Sequence, residues 1–184
     1  MPPAAEKALA ELTDVTETEP TPEPHDPERS DPGAEYPDCP QVAVGVVVWQ
    51  GPNMLLTRRS APPLEGQWAL PGAGQRLGET VFQCARREIL QSTGLIIEPT
   101  GIVTVSDEIE PDVDGRIRNH YTQIIVTALC ETGTPVALLD AAESRFVPPE
   151  DAEALVIHDP LKAIIRLAVA HRLTEATHKV VRRD

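Results

Sequence analysis

Between residues 40 and 173 short apolar runs alternate with polar breaks. QVAVGVVVW, residues 41–49, is apolar and β-branched almost throughout, which predicts a strand buried on both faces. QGPN turns the chain, and MLLTRR, residues 54–59, brings it back as a second strand. SAPPLEGQ, 60–67, reads as a surface loop, and WALPGAGQ continues as a glycine-rich loop. The period then changes. Phe82, Ala85 and Ile89 follow an i, i+3, i+7 stripe, widened by Cys84 and Leu90, so a helix is expected from near Glu79 to before Gly94. Glu79 and Thr80 are expected in its first turn, where an acid suits the helix dipole. Gly94 stands where a left-handed glycine ends a helix.

Beyond the helix, residues 96–111 read as one or two strands, DVDG (112–115) as a turn, and 117–130 as a long strand. ETGTP makes another turn and SRFV a short strand. PPEDAEAL opens a helix. Asp159-Pro160 reads as an N-cap with proline at the first helical position, and LKAIIRLAVAHRL follows as an amphipathic helix packing through Leu161, Ile164, Ile165, Leu167 and Ala168. HKVVRRD at the end is expected to fray. Strands interspersed with helices are the pattern of an α/β domain.

Charge divides the chain. Residues 1–38 hold eleven acids and two bases, a net −9 of the total −13, which leaves −4 for the other residues. This Pro- and Glu-rich stretch cannot bury enough apolar area to offset chain entropy, so it is expected to be a disordered acidic tail, with at most a short helix at 6–12. It is either a solvated tail or a tether that mimics an anionic substrate. The expected organisation is a tail at 1–38, a domain at 39–175 and a C-terminal tail at 176–184. No basic stripe points to nucleic acid. No apolar run reaches the ~18 residues of a membrane span. Cys39, Cys84 and Cys130 lack both disulfide-framework and zinc-ligand spacing and suit a reducing cytosol, so a cytoplasmic location is expected.

WALPGAGQRLGETVFQCARREILQSTGL, residues 68–95, resembles the box of the Nudix hydrolases, G-x5-E-x7-R-E-U-x-E-E-x-G-U with U a bulky apolar residue. Glu79, Arg87, Glu88, Ile89, Gly94 and Leu95 match, whereas Ala73, Gln91 and Ser92 replace the box glycine and its two adjacent glutamates. The resemblance implies an α/β/α sandwich with a mixed β-sheet over residues 40–173, an Arg87–Glu79 pair joining loop to helix, and magnesium or manganese held on one helix face. On a helix, positions 88, 91 and 92 share a face. Three glutamates there would offer hard oxygen ligands to such ions. Here Glu88 alone is charged, Gln91 keeps a neutral carbonyl, and Ser92 a short hydroxyl.

The QW-x-LPG, LGETVF, GR-x-R-x-HYT and AAESRFV-PPED segments are also similar to a bacterial ADP-ribose pyrophosphatase-like subgroup. That likeness implies a divalent-metal-dependent hydrolase of a nucleoside diphosphate linked to another moiety, with Glu88, Arg87 and Glu79 at the catalytic centre and activity weakened by Gln91 and Ser92. A carbonyl near Gly72 would add a backbone ligand. Arg58 and Arg59 are candidate contacts for substrate phosphate or for the ligand's second half. Glu143 and Arg145 match an E-x-R-aromatic stretch of the subgroup. The alternative is an inactive domain that binds a nucleotide-type ligand or a protein partner. Homodimers are common in the family, and that state stays open here. Trp68, Phe82 and Tyr121 are the aromatics nearest the expected pocket, with His120 beside them as either a pocket or a structural residue. Asp107, Glu108, Glu110, Asp112 and Asp114 either reach a metal site or form a solvated loop.

Overall fold

The computed structural model describes residues 35–61, 65–139 and 141–181, the last seven of these as backbone alone. The expected acidic tail up to residue 34, its short helix, residues 62–64 of the surface loop and residues 182–184 lie outside the described residues. Among the described residues, seven strands form one sheet: β1 (Gln41–Gln50), β2 (Asn53–Arg59), β3 (Trp68–Ala69), β4 (Gly72–Gly74), β5 (Glu98–Pro111), β6 (Ile117–Leu129) and β7 (Ala141–Val147). Among the described residues, three helices accompany them: α1 (Val81–Thr93), α2 (Pro149–Leu155) and α3 (Asp159–Val181).

The sheet is mixed. Its path runs β3-β2-β1-β6-β5, with β4 on β1 and β7 on β2. β1 and β6 are parallel over Gln41↔Tyr121 to Trp49↔Leu129, and the other pairings are antiparallel. Because β6 fills one edge of β1, β2 and β4 share the other, β2 at its end and β4 at its start.

Side chains alternate along β1, and both sets are buried. Val44, Val46 and Val48 join Cys84, Ala85 and Ile89 under α1. Val47 and Trp49 join Ala152, Val156, Ile165 and Ala168 under α2 and α3. A strand covered on both faces needs the continuous apolar run that β1 has. Each such buried aliphatic side chain contributes roughly 1.5–3 kcal/mol. The result is the expected α/β/α sandwich.

Several local expectations are corrected. α1 starts at Val81, with Thr80 as its N-cap, so Glu79 precedes the helix. A capping box sets this start: Thr80 Oγ1 accepts from the Gln83 N–H at 3.2 Å, and Gln83 Oε1 from the Thr80 N–H at 2.8 Å. Phe82 is 36% and Leu90 51% exposed, so they leave the apolar stripe, and Cys84, Ala85 and Ile89 carry the packing. At the start of α3 the His158 carbonyl accepts from Leu161 and Lys162. That makes His158 the capping position and puts Asp159 in the first turn, where its charge favours the helix dipole. Leu167, expected on the packing face of α3, is 50% exposed. Part of the glycine-rich loop forms β3 and β4, because β1 and β2 diverge and leave backbone groups for both to pair with.

Candidate active site

β4 delivers the chain to α1. Gly72 lies opposite Gly45 on β1, and a Cβ added at Gly72 would stand 2.8 Å from the Val44 carbonyl oxygen. Only glycine allows this approach. At the other end of α1, Gly94 ends the helix at φ 69°, with its N–H on the Leu90 carbonyl at 3.0 Å.

Between these glycines Arg87 ties loop to helix. Its Nε donates to Glu79 Oε1 at 2.5 Å, and its Nη2 to Glu79 Oε2 at 3.1 Å and to the Gly74 carbonyl at 3.0 Å. Glu79 Oε2 also accepts the Arg76 N–H at 2.9 Å, and the Gln75 side-chain amide donates to the Glu79 carbonyl at 2.5 Å. The two side chains are only 13% and 18% exposed. Burial disfavours the Glu79 carboxylate, but the hydrogen bonds from Arg87 and Arg76 outweigh it and hold the carboxyl below its ordinary range. Burial likewise opposes the Arg87 charge, and the Glu79 hydrogen bond overrides it, raising that group further. Cys84 lies beside this pair, its Sγ accepting from Arg87 Nη2 at 3.4 Å. Burial pushes its thiol up to about 11, against the pull of the Arg87 charge, so it stays protonated near neutral pH.

Next to Arg87 in sequence, Glu88 is buried at 8% exposure, close enough for its charge to act on Arg87 and Cys84. Gln91 is half-buried. Ser92 is 2% exposed, and its Oγ donates to the Glu88 carbonyl at 2.8 Å. Its one proton is thus used on the helix backbone, a bond serine commonly makes in helices. Among the described residues, no group of three or more His, Cys, Asp or Glu could hold a metal ion. The donors on this face suit a single divalent ion completed by substrate phosphates, since magnesium is often held through one or two carboxylates. They do not suit a cluster of ions.

The other candidates sit elsewhere. Arg58 pairs in register with Trp68 on β3 and Glu143 on β7, on the sheet face that Leu56 shares with α2 and α3. It faces away from α1, so the sheet lies between its side chain and Arg87. Arg59 holds the ends of the loop: its N–H donates to the Gln67 carbonyl at 3.0 Å, and its carbonyl accepts from Gly66 at 2.9 Å. Four of the hairpin acids are occupied within the β5–β6 arm. Asp107 accepts from Thr122 at 2.9 Å, Glu108 from Gln123, and Glu110 from Asn119 at 2.7 Å, while Asp112 caps the turn through the N–H groups of Asp114 and Arg116. His120 lies in the same arm, opposite Ile109, and Tyr121 opposite Glu108 and Gln41.

The fold and the glycine-bounded helix with its Glu79–Arg87 clamp meet a direct match: the NUDIX domain family model covers residues 40–168, and the chain belongs to that family. It is 35% identical over 107 residues to an ADP-ribose pyrophosphatase of Methanocaldococcus jannaschii, a match covering 58% of this chain and 61% of that one. The chain thus spans less than two thirds of that relative's length. Among solved structures, a NUDIX hydrolase from Nitrosomonas europaea matches with a TM-score of 0.59 at 18% identity, over 72% of this chain and 73% of that one. The NUDIX domain of Shewanella oneidensis NrtR, solved with ADP ribose, matches with a TM-score of 0.59 at 18% identity, over 94% and 99%. At such identities the two structures speak for the fold alone. Among the described residues, no helix is long and apolar enough to cross a membrane.

Proposed function

We propose that this chain is a Nudix pyrophosphohydrolase of low turnover, acting on a nucleoside diphosphate linked to a second moiety, of the ADP-ribose type. The observation that carries the reading is the clamp of Arg87 on Glu79 and Gly74, with Glu88 retained next to it in sequence. The likeness to a curated ADP-ribose pyrophosphatase supports the substrate class. Magnesium or manganese, when bound, neutralises pyrophosphate charge and activates water, with Glu88 as its charged ligand, Gln91 as a neutral one and a carbonyl near Gly72 as a backbone one. The chain's own residues do the positioning. Arg87 and Glu79 fix the loop against the helix, and Glu88 either holds the ion or takes the proton of the attacking water. Loss of two charged ligands worth ~3–5 kcal/mol of transition-state stabilisation slows the reaction roughly 10²–10⁴-fold.

A second reading, a domain that binds such a ligand without cleaving it, is favoured by the inward turn of Ser92. With fewer acids on the helix face, less repulsion opposes an anionic ligand in the absence of metal. Product release from ADP-ribose, NADH, a dinucleoside polyphosphate and nucleoside triphosphates, with magnesium and with manganese, separates the two. Slow turnover that disappears in Glu88→Ala supports the enzyme. Tight binding that survives a chelator, with no product, supports the binding domain.

A further inference from the structure

The hairpin of β5 and β6 outruns the rest of the sheet. β1 begins at Gln41, opposite Tyr121, so within the sheet the part of β6 from Ile117 to His120 pairs with β5 alone. A two-stranded ribbon is marginally stable at best in water. Burial does little to help this one, since Ile109, Val113 and Ile117 are all exposed.

The segment ahead of β1 supplies what the ribbon lacks. The Tyr36 N–H donates to the Arg118 carbonyl at 2.8 Å. Glu35 Oε1 accepts from Arg118 Nε at 2.8 Å and from its Nη2. Arg118 also has Glu110 Oε1 3.9 Å from its Nη1. The Arg116 guanidinium lies 4.6 Å from the centroid of the Tyr36 ring, and the Tyr36 hydroxyl donates to Asp112. Asp112 in turn shapes the turn by accepting from the N–H groups of Asp114 and Arg116, each at 2.9 Å. Two residues thus engage the turn, both of its cations and the backbone of β6.

The grip is finely balanced. Tyr36 sits at φ 62°, in the left-handed region that bulky residues avoid. Such a conformation persists only where its surroundings over-determine it. The contacts that do so face solvent: the Arg118 and Glu35 side chains are 46% and 54% exposed. Exposed ion pairs are weak and are screened by salt. Strain and attraction are therefore both small, and a change in ionic strength can decide between them. Opening would stop at β1, which is held along one edge by β6 and at its start by β4 on the other.

We propose that Glu35 and Tyr36 form an electrostatic latch on the tip of the β5–β6 hairpin. Closed, the latch orders the tip by adding a third segment to a two-stranded ribbon. Open, at high salt, the tip frays while the sandwich stays folded.

Hydrogen exchange of the full chain, at low salt and at about 1 M sodium chloride, where the screening length is about 3 Å, tests it. In the native chain, exchange over residues 110–120 should rise roughly three- to tenfold at high salt, and that of β1 should not. Glu35→Gln removes the charge, so its tip should exchange at low salt as the native tip does at high salt, and salt should then add less than about twofold. Tyr36→Ala removes the ring and the hydroxyl and should raise tip exchange at low salt as well. Native-like protection of the tip in either variant overturns the latch. Equal tip exchange at the two salt concentrations in the native chain overturns its electrostatic control. A rise shared equally by β1 and the tip shows general loosening and overturns the local device.

Discussion

At the start of α1, hydrogen bonds from Arg87 and the Arg76 backbone converge on the Glu79 carboxylate, and Arg87 reaches the Gly74 carbonyl as well. Two turns later the same helix presents a buried Glu88, a neutral Gln91 and a serine bonded to its own backbone. The first region shapes the loop and the second would act on a ligand. They differ because they answer to different constraints. The clamp is needed for β4, the loop and α1 to pack, so removing one partner strands a buried charge. At 91 and 92 the helix carries a half-buried amide and a serine bonded to its own backbone, and the fold forms with no charge at either position. On the function proposed above, fold and chemistry draw on different residues of one helix.

That contrast can be broken at the clamp first. Arg87→Ala leaves Glu79 buried without its main partner and should destabilise the domain by about 3 kcal/mol, the range for breaking a buried pair, read as a lower urea midpoint. A loss below ~1 kcal/mol, the range of an exposed pair, would show that the clamp is not structural. Gly72→Ala forces a Cβ against the Val44 carbonyl and should cost about 2 kcal/mol through overpacking, seen in the same unfolding series. Thr80→Ala removes half of the capping box and should cost about 1 kcal/mol. The smallest effect is pH-dependent. Because the Glu79 carboxyl is held below its ordinary value of 4.5, its stabilising share is fully present above that value and is lost as pH falls through the lowered one. Melting temperatures of the native protein and Glu79→Gln should therefore differ at neutral pH and draw together as pH falls below 4.5. A constant gap across that window contradicts the assignment.

Much of this was legible in the sequence. The unbroken apolar run of β1 announces a strand covered twice, the pattern up to Gly94 marks the helix, and the Nudix resemblance implies its Arg87–Glu79 clamp. Phe82 misled because a stripe of period 3.6 has two plausible centres, and only packing chooses between them. The start of α3 was misplaced by one residue, since aspartate is favoured both at the cap and in the first turn. The inward turn of Ser92 was invisible because a serine's rotamer depends on what covers it. The row of Trp68, Arg58 and Glu143 draws on three strands, and no spacing within one segment encodes their register. Each residue carried a signal of its own, but only the pairing of β2 with β3 and β7 joins them.

The claim at the centre of this account is that the frame of the site is intact and its charge is short. The most direct measurement is a magnesium titration of ADP-ribose turnover, native chain beside Gln91→Glu. A restored carboxylate should raise turnover at least tenfold, about 1.4 kcal/mol of barrier, and shift half-saturation to lower magnesium. Unchanged or lower turnover in a variant that folds and binds ADP-ribose like the native chain would contradict it, and would place the limit on activity somewhere other than the missing charge.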